Sequence, residues 1–263
     1  MIFQVAAEQP FIQPEIVFSV GNIPVTNAMI MSAFVMLIFL FVSVGILRKA
    51  KIVPGTFQTI IEILFTAILN FLETLTGSKV LAKNIFPLVG TLFIYIGISN
   101  IIGLIPGISA ITYNDVALFR TPTNDFNTTF SIALAMIVLT HVASMKEFGL
   151  FGHLGKFFKF KEVIIGFKEG VGAGFLAIID FLIGLLDIIS ELAKVISLSL
   201  RLFGNMYAGE VLAAILLGAF AMIVPAPWFA MNLLTGLLQA LVFGSLTAAY
   251  YALAVDRGEE TNA

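Results

Sequence analysis

No cysteine occurs in the 263 residues. That excludes disulfides, thiolate metal ligands and thiol nucleophiles, and it leaves the redox compartment open. Charge is almost as scarce: Asp, Glu, Lys and Arg make up 11% of the chain, against about a quarter in an average globular domain. The two histidines, His141 and His153, stand away from any second histidine or carboxylate at ligand spacing, so no metal site is expected. The glycine-rich run GVGAG at 170–174 is not followed by Lys-Ser/Thr. It is therefore no phosphate loop, and helix packing is its expected role. No internal repeat is visible, which removes support for an inverted-repeat transporter. The first residues, MIFQVAAEQPFIQPE, lack the basic segment of a cleaved signal peptide, so the first apolar span is expected to direct its own insertion.

What fills the chain instead is apolar: 59% hydrophobic residues and a mean hydropathy of +1.05. A helix needs about 20 such residues to cross the hydrocarbon. An all-α polytopic membrane protein follows, a single membrane domain with about five membrane helices. The expected spans are 28–47, 85–105, 126–145, 171–224 and 228–255. The first is stopped by Arg48, Lys49 and Lys51, the second by Pro106-Gly107, the third by Lys146 and Glu147, and the last by Asp256-Arg257. Residues 56–76 are long enough to span, yet Glu62, Asn70 and Glu73 make them amphipathic. A helix lying in the interface is the expectation there. Asn127, inside a sequon-like Asn-Thr-Thr at the start of the third span, reads as a helix cap.

Basic residues set the orientation. With the N-terminus outside, Arg48, Lys49, Lys51, Lys79, Lys83 and the five lysines of 146–168 lie inside, and only Arg120 marks the 106–125 loop outside. The C-terminus is then cytoplasmic. The block 171–224 would be roughly 80 Å long as a helix, far more than a bilayer needs. No turn signal divides 175–203, so one long inclined helix is expected, followed by a second long one.

That block carries charge on one side. At about 100° per residue, Asp180, Asp187, Glu191, Lys194, Arg201 and Asn205 fall within roughly 80° of each other, while Glu210 lies about 140° around from Asn205. A charge at the bilayer centre costs about 2.5–3.5 kcal/mol on insertion scales, so a row of them on one helix asks for a use. Lys194 can be neutralised locally by Asp187 or Glu191. Arg201 cannot: its neighbours along the stripe are Lys194 and Asn205, and a guanidinium keeps its proton. Its counter-charge must come from another helix or another chain. In the last span, Asn232, Gln239 and Tyr250 share a face with Thr235 near it; they either bond between helices or line a path opposite Arg201 and Glu210. Gly204, Ala208, Gly209, Gly236 and Gly244 would let helices approach closely.

RLFGNMYAGE at 201–210, preceded by SLSL, resembles the signature helix of subunit a of the F-type ATP synthase. LLQALVF at 237–243 resembles that family's last helix. NIFPLVGTLFIYIGISNIIGLIPG and TPTNDFNTTFSIALA resemble its middle helices. The resemblance, which covers most of the chain from about residue 84, implies a non-catalytic stator channel of a bacterial inner membrane. Its partners would be the c-ring, the peripheral stalk subunit b, other ATP synthase subunits and the lipid bilayer, with no nucleic acid and no nucleotide bound by this chain. Position by position, it implies that Arg201 faces the c-ring carboxylates and separates two aqueous half-channels. It makes Asn205 and Gln239 the arginine's polar neighbours, Glu210 the carboxylate of the half-channel open to the outside, and Asp187 and Ser190 residues of the one open to the cytoplasm. Lys194, Glu191, Asp180 and Tyr250 are candidate accessory polar groups. No metal or cofactor is implied. The chain departs from the family at Asn232, where some members hold a histidine, at Val195, where many hold proline, and at Gly103, where some carry an aspartate. A stand-alone ion-coupled transporter is the rival reading. It requires an acidic partner for Arg201 within this chain.

Overall fold

The structure, a computed structural model, describes residues 12–105, 107–108, 111–220 and 225–255. The segment before Ile12, Pro106 of the expected turn, residues 221–224 and the Asp256-Arg257 stop lie outside the described residues. The chain is helical, as its apolar runs require. Backbone amides in lipid must be satisfied within their own segment, and a helix does that.

Seven α-helices follow one another: α1 (Asn27–Lys49), α2 (Thr56–Thr76), α3 (Lys79–Gly103), α4 (Phe126–Phe157), α5 (Phe160–Glu169), α6 (Val171–Phe220) and α7 (Pro225–Val255). Six of them, all but α5, are long and apolar enough to cross a membrane. The sixth is α2, in which an amphipathic interfacial helix was expected; it packs against α3 and α7. The long block forms one unbroken helix of 50 residues, about 75 Å from end to end. Pro225 opens α7, at the helix start where a missing N–H costs nothing.

Two small hairpins were not anticipated. Strands β1 (Ile16–Val20) and β2 (Ile23–Thr26) pair antiparallel ahead of α1. Strands β3 (Thr112–Tyr113) and β4 (Val116–Ala117) flank Asn114 and Asp115, both with positive φ (50° and 62°), the turn that two-residue hairpins favour. The Asn127 cap is corrected: α4 is capped two residues earlier by Asp125, whose side chain accepts from the Asn127 backbone N–H at 3.1 Å and from Thr128 Oγ1 at 2.9 Å.

The packed core joins α3, α4, α6 and α7 through Ile96, Met136, Leu198, Leu202, Ala240 and Phe243. A second cluster, with Leu72, Ile85, Val89 and Ala248, fastens α2 to α3 and α7. Of the small residues expected at helix contacts, Gly209, Gly236 and Gly244 sit against Asn232, Asn100 and Val89, whereas Gly204 faces open space and Ala208 is exposed. In the GVGAG run, Gly174 lies beneath the Phe167 ring where α5 folds onto α6.

One backbone feature reshapes the site. Gly149 takes φ 75° and ψ 164° inside α4, a conformation open chiefly to glycine. The helix breaks there, and its last turns fold back onto the stretch from His141 to Ser144.

Candidate functional site

Two polar cavities lie at different levels of the α6–α7 pair. The first, about 330 Å³, is lined by Glu210 and Asn205 of α6, Asn232 and Thr235 of α7, and Gly103, Arg120, Thr121 and Asn124 from the α3–α4 connection. Among the described residues Glu210 is its sole carboxylate. Asn232 donates to the Gly209 carbonyl at 3.2 Å, and Trp228 Nε1 donates to the same oxygen at 3.1 Å. Arg120 is buried, donating to the carbonyls of Gln13 at 2.8 Å and Asn124 at 3.2 Å. Asn100 ties the wall together: it donates to Gly236 O at 3.0 Å and accepts from Thr123 Oγ1 at 2.6 Å.

Gly103 is packed so closely on Thr121 that a β-carbon would overlap the hydroxyl. No acidic side chain could stand at this position without remaking the wall. Gly103→Ala is expected to destabilise the protein by about 1–3 kcal/mol, the usual cost of overpacking, seen as a lower melting temperature of the detergent-solubilised protein.

The second cavity, about 190 Å³, is lined by Asp187, Ser190, Glu191 and Lys194 of α6, Tyr250 of α7, and Thr140, His141, Ser144 and His153 of α4. Lys194 Nζ lies 2.6 Å from Glu191 Oε1 and 4.8 Å from the centre of the Tyr250 ring. The local ion pair anticipated for Lys194 thus forms with Glu191. Asp180, at the far end of the stripe, is exposed and lines neither cavity.

Between the cavities stands a narrow polar layer. Asn205 Nδ2 donates to Gln239 Oε1 at 2.8 Å, and Gln239 is buried. Arg201, one turn along α6 from Asn205, is exposed, and among the described residues no carboxylate lies within ion-pair distance of it. Lys194 and Asn205, the nearest α6 residues of the two cavities, are about 16 Å apart along the helix. No described residue lines both cavities.

The structure therefore brings Glu210, Asn205 and Asn232 together in one cavity, with Gln239 bonded at its edge, and Asp187, Ser190, Glu191, Lys194 and Tyr250 together in the other. The model of the ATP synthase A chain family matches residues 28–252.

The chain belongs to that family.

Relatives named ATP synthase subunit a are correspondingly similar. The protein from Desulforamulus reducens is 34% identical over 206 residues, 75% of this chain and 66% of its own. The one from Moorella thermoacetica is 30% identical across 92% of this chain and 96% of its own. The one from Geotalea daltonii is 34% identical across 84% of both. The all-α polytopic fold expected from the sequence is the fold observed, and the family resemblance drawn from RLFGNMYAGE is the family found.

Sequence reasoning missed three parts of this site. Arg120 was read only as a loop cation, yet it forms a wall of the Glu210 cavity. Asn100, hidden in an apolar run, carries no periodic signal of its own. His141 and His153, twelve residues apart and read as isolated, have ring centres 5.2 Å apart, with His141 Nε2 3.8 Å from Glu191 Oε2.

Proposed function

We propose that this chain is the proton-translocating stator subunit of a bacterial F-type ATP synthase. It carries out no bond-making chemistry and binds no nucleotide. The observation that supports the reading is the pair of separate cavities, one holding Glu210 and the other Asp187, with Arg201 and the Asn205–Gln239 bond on the stretch of α6 between Lys194 and Glu210.

In this reading the Glu210 cavity opens to the outside and the Asp187 cavity to the cytoplasm, with the N-terminus outside and the C-terminus inside. Protons enter past Asn232 to Glu210 and neutralise a carboxylate of the c-ring. Neutral, that carboxylate can turn through lipid; charged, it could not. After rotation it reaches the Asp187 cavity and loses its proton there. Arg201 favours the ionised carboxylate by about 1–4 kcal/mol and bars a direct leak. Each proton falling through 100 mV releases about 2.3 kcal/mol, and several must be summed for each ATP. The amphipathic α2 lies in the interface, α6 and α7 cross at a slant, and the peripheral stalk holds the subunit against the ring.

Exposure of Arg201, Asn205 and Ala208 with open space beside Gly204 supports a ring passing across this face. A stand-alone transporter would need its acid in this chain, and none stands beside Arg201 among the described residues. The absence of native cysteines makes a clean test available. Ala208→Cys should form an oxidative cross-link to a cysteine placed one turn from the ring carboxylate, whereas Phe41→Cys on the exposed side of α1 should not. No cross-link at 208, with the complex intact, would remove the ring from this face.

A further inference from the structure

The Asp187 cavity holds two imidazoles that the half-channel reading does not use. On a straight helix His153 would lie about 18 Å along the axis from His141 and about 120° around it. The Gly149 break brings their rings to 5.2 Å. His153 is buried, with Nδ1 3.0 Å from Ser144 Oγ. His141 is about a quarter exposed (27%) and points Nε2 at Glu191 Oε2, 3.8 Å away. Glu191 holds Lys194 on its other oxygen, Oε1, at 2.6 Å. Among the described residues, the titratable and charged groups facing the two rings are Asp187, Glu191 and Lys194 from α6 and Tyr250 from α7.

We propose that His141 and His153 form the proton-exchange port of this cavity, passing protons between the adjacent water and the carboxylates of α6. The inference rests on the half-channel reading above. An imidazolium at His141 releases its Nε2 proton to Glu191 Oε2, or through water to Asp187, and is reprotonated by hydronium or a buffer acid. Synthesis runs the same transfers backwards, and no electrons move.

The chemistry explains why imidazoles would stand at such a mouth. An ordinary carboxyl titrates near pH 4 and gathers few protons from neutral water. An ordinary imidazole changes charge between pH 5 and 8, so it accepts from that water and donates onward. His141 is the wetter of the two and meets the solvent. The buried His153, held by Ser144, fixes the ring against it.

A packing role is the competing account, because both rings also touch Phe157, with centres 6.0 and 5.4 Å away. The reconstituted holoenzyme separates the two. ATP-driven proton uptake is measured with the catalytic-head side at about pH 6 and about pH 8, for the native protein, H141Q, H153Q and the double variant. The expected result is a double-variant rate about tenfold below native at pH 8 and within about twofold at pH 6, with H141Q the larger single effect. Imidazole at tens of millimolar on the head side should restore the pH 8 rate. A native rate at both pH values would overturn the proposal. So would an equal loss at both that imidazole leaves untouched, which is what lost packing produces. Failure of the half-channel reading looks different: an Arg201→Ala enzyme would then pump normally, whatever the histidine variants do.

Discussion

Arg201→Ala is expected to abolish ATP-driven proton pumping while leaving the complex assembled. Its side chain is exposed and carries none of the packing that holds α6 to its neighbours; that work falls to Val195, Leu198 and Leu202. Truncation should therefore cost little stability. The functional loss has two sources. Nothing else at this level of α6 favours an ionised carboxylate on a partner, and losing even the low end of that preference, about 1.4 kcal/mol, is a factor of about ten. The wall between the cavities also loses its fixed positive charge, so passive proton leakage through membranes stripped of the catalytic head should rise. Arg201→Lys keeps the charge but loses the planar fork, and should pump at a small fraction of the native rate. Normal pumping by the alanine variant would end the stator-channel mechanism proposed above.

Glu210→Gln should reduce both pumping and synthesis by about 100-fold, the lower end of what a positioned proton-transfer group contributes. The expectation comes from the cavity's inventory. Among the described residues Glu210 is its only carboxylate, and its other polar side chains are amides, a threonine pair and Arg120. An amide can orient water yet cannot carry a proton, and a guanidinium does not release one. Asn232 stands where a histidine would provide a second carrier, so no substitute is at hand. Glu210→Asp, shorter by one methylene, should retain part of the rate. If the Gln variant keeps more than half the native rate of pumping, water alone conducts through this cavity and Glu210 has no carrier role.

The helices themselves were legible because their signal is local. Apolar runs, the basic stop at Arg48 and the lack of any breaker between 175 and 203 point to α1, α4 and the single long α6, although α4 continues past the expected stop at Lys146 to Phe157. The polar seam was legible for the same reason, since angular position on a helix follows from residue number alone. Asp187, Glu191 and Lys194 do share a cavity, and Asn232, Gln239 and Tyr250 do run along one side of α7. Where the reading went astray, one specific contact decided the outcome, local for the α4 cap and long-range for Arg120. The cap of α4 passed to Asp125 because its carboxylate reaches the Asn127 amide. Arg120 became a cavity wall because carbonyls at Gln13, from the N-terminal end of the chain, and at Asn124 hold it there.

The amino-acid sequence alone determined that this is a helical membrane protein with an uncompensated arginine on a polar stripe, and that Glu210 stands off that stripe. Periodicity and composition carry that much, since each concerns residues on one helix. Only the tertiary structure decided that the stripe is split into two cavities rather than one seam, and that two histidines twelve residues apart meet beside Glu191. For the histidines the physical reason is one backbone conformation. A positive φ at Gly149 reverses the end of α4, and no helical wheel drawn through that residue can show what lies opposite His141.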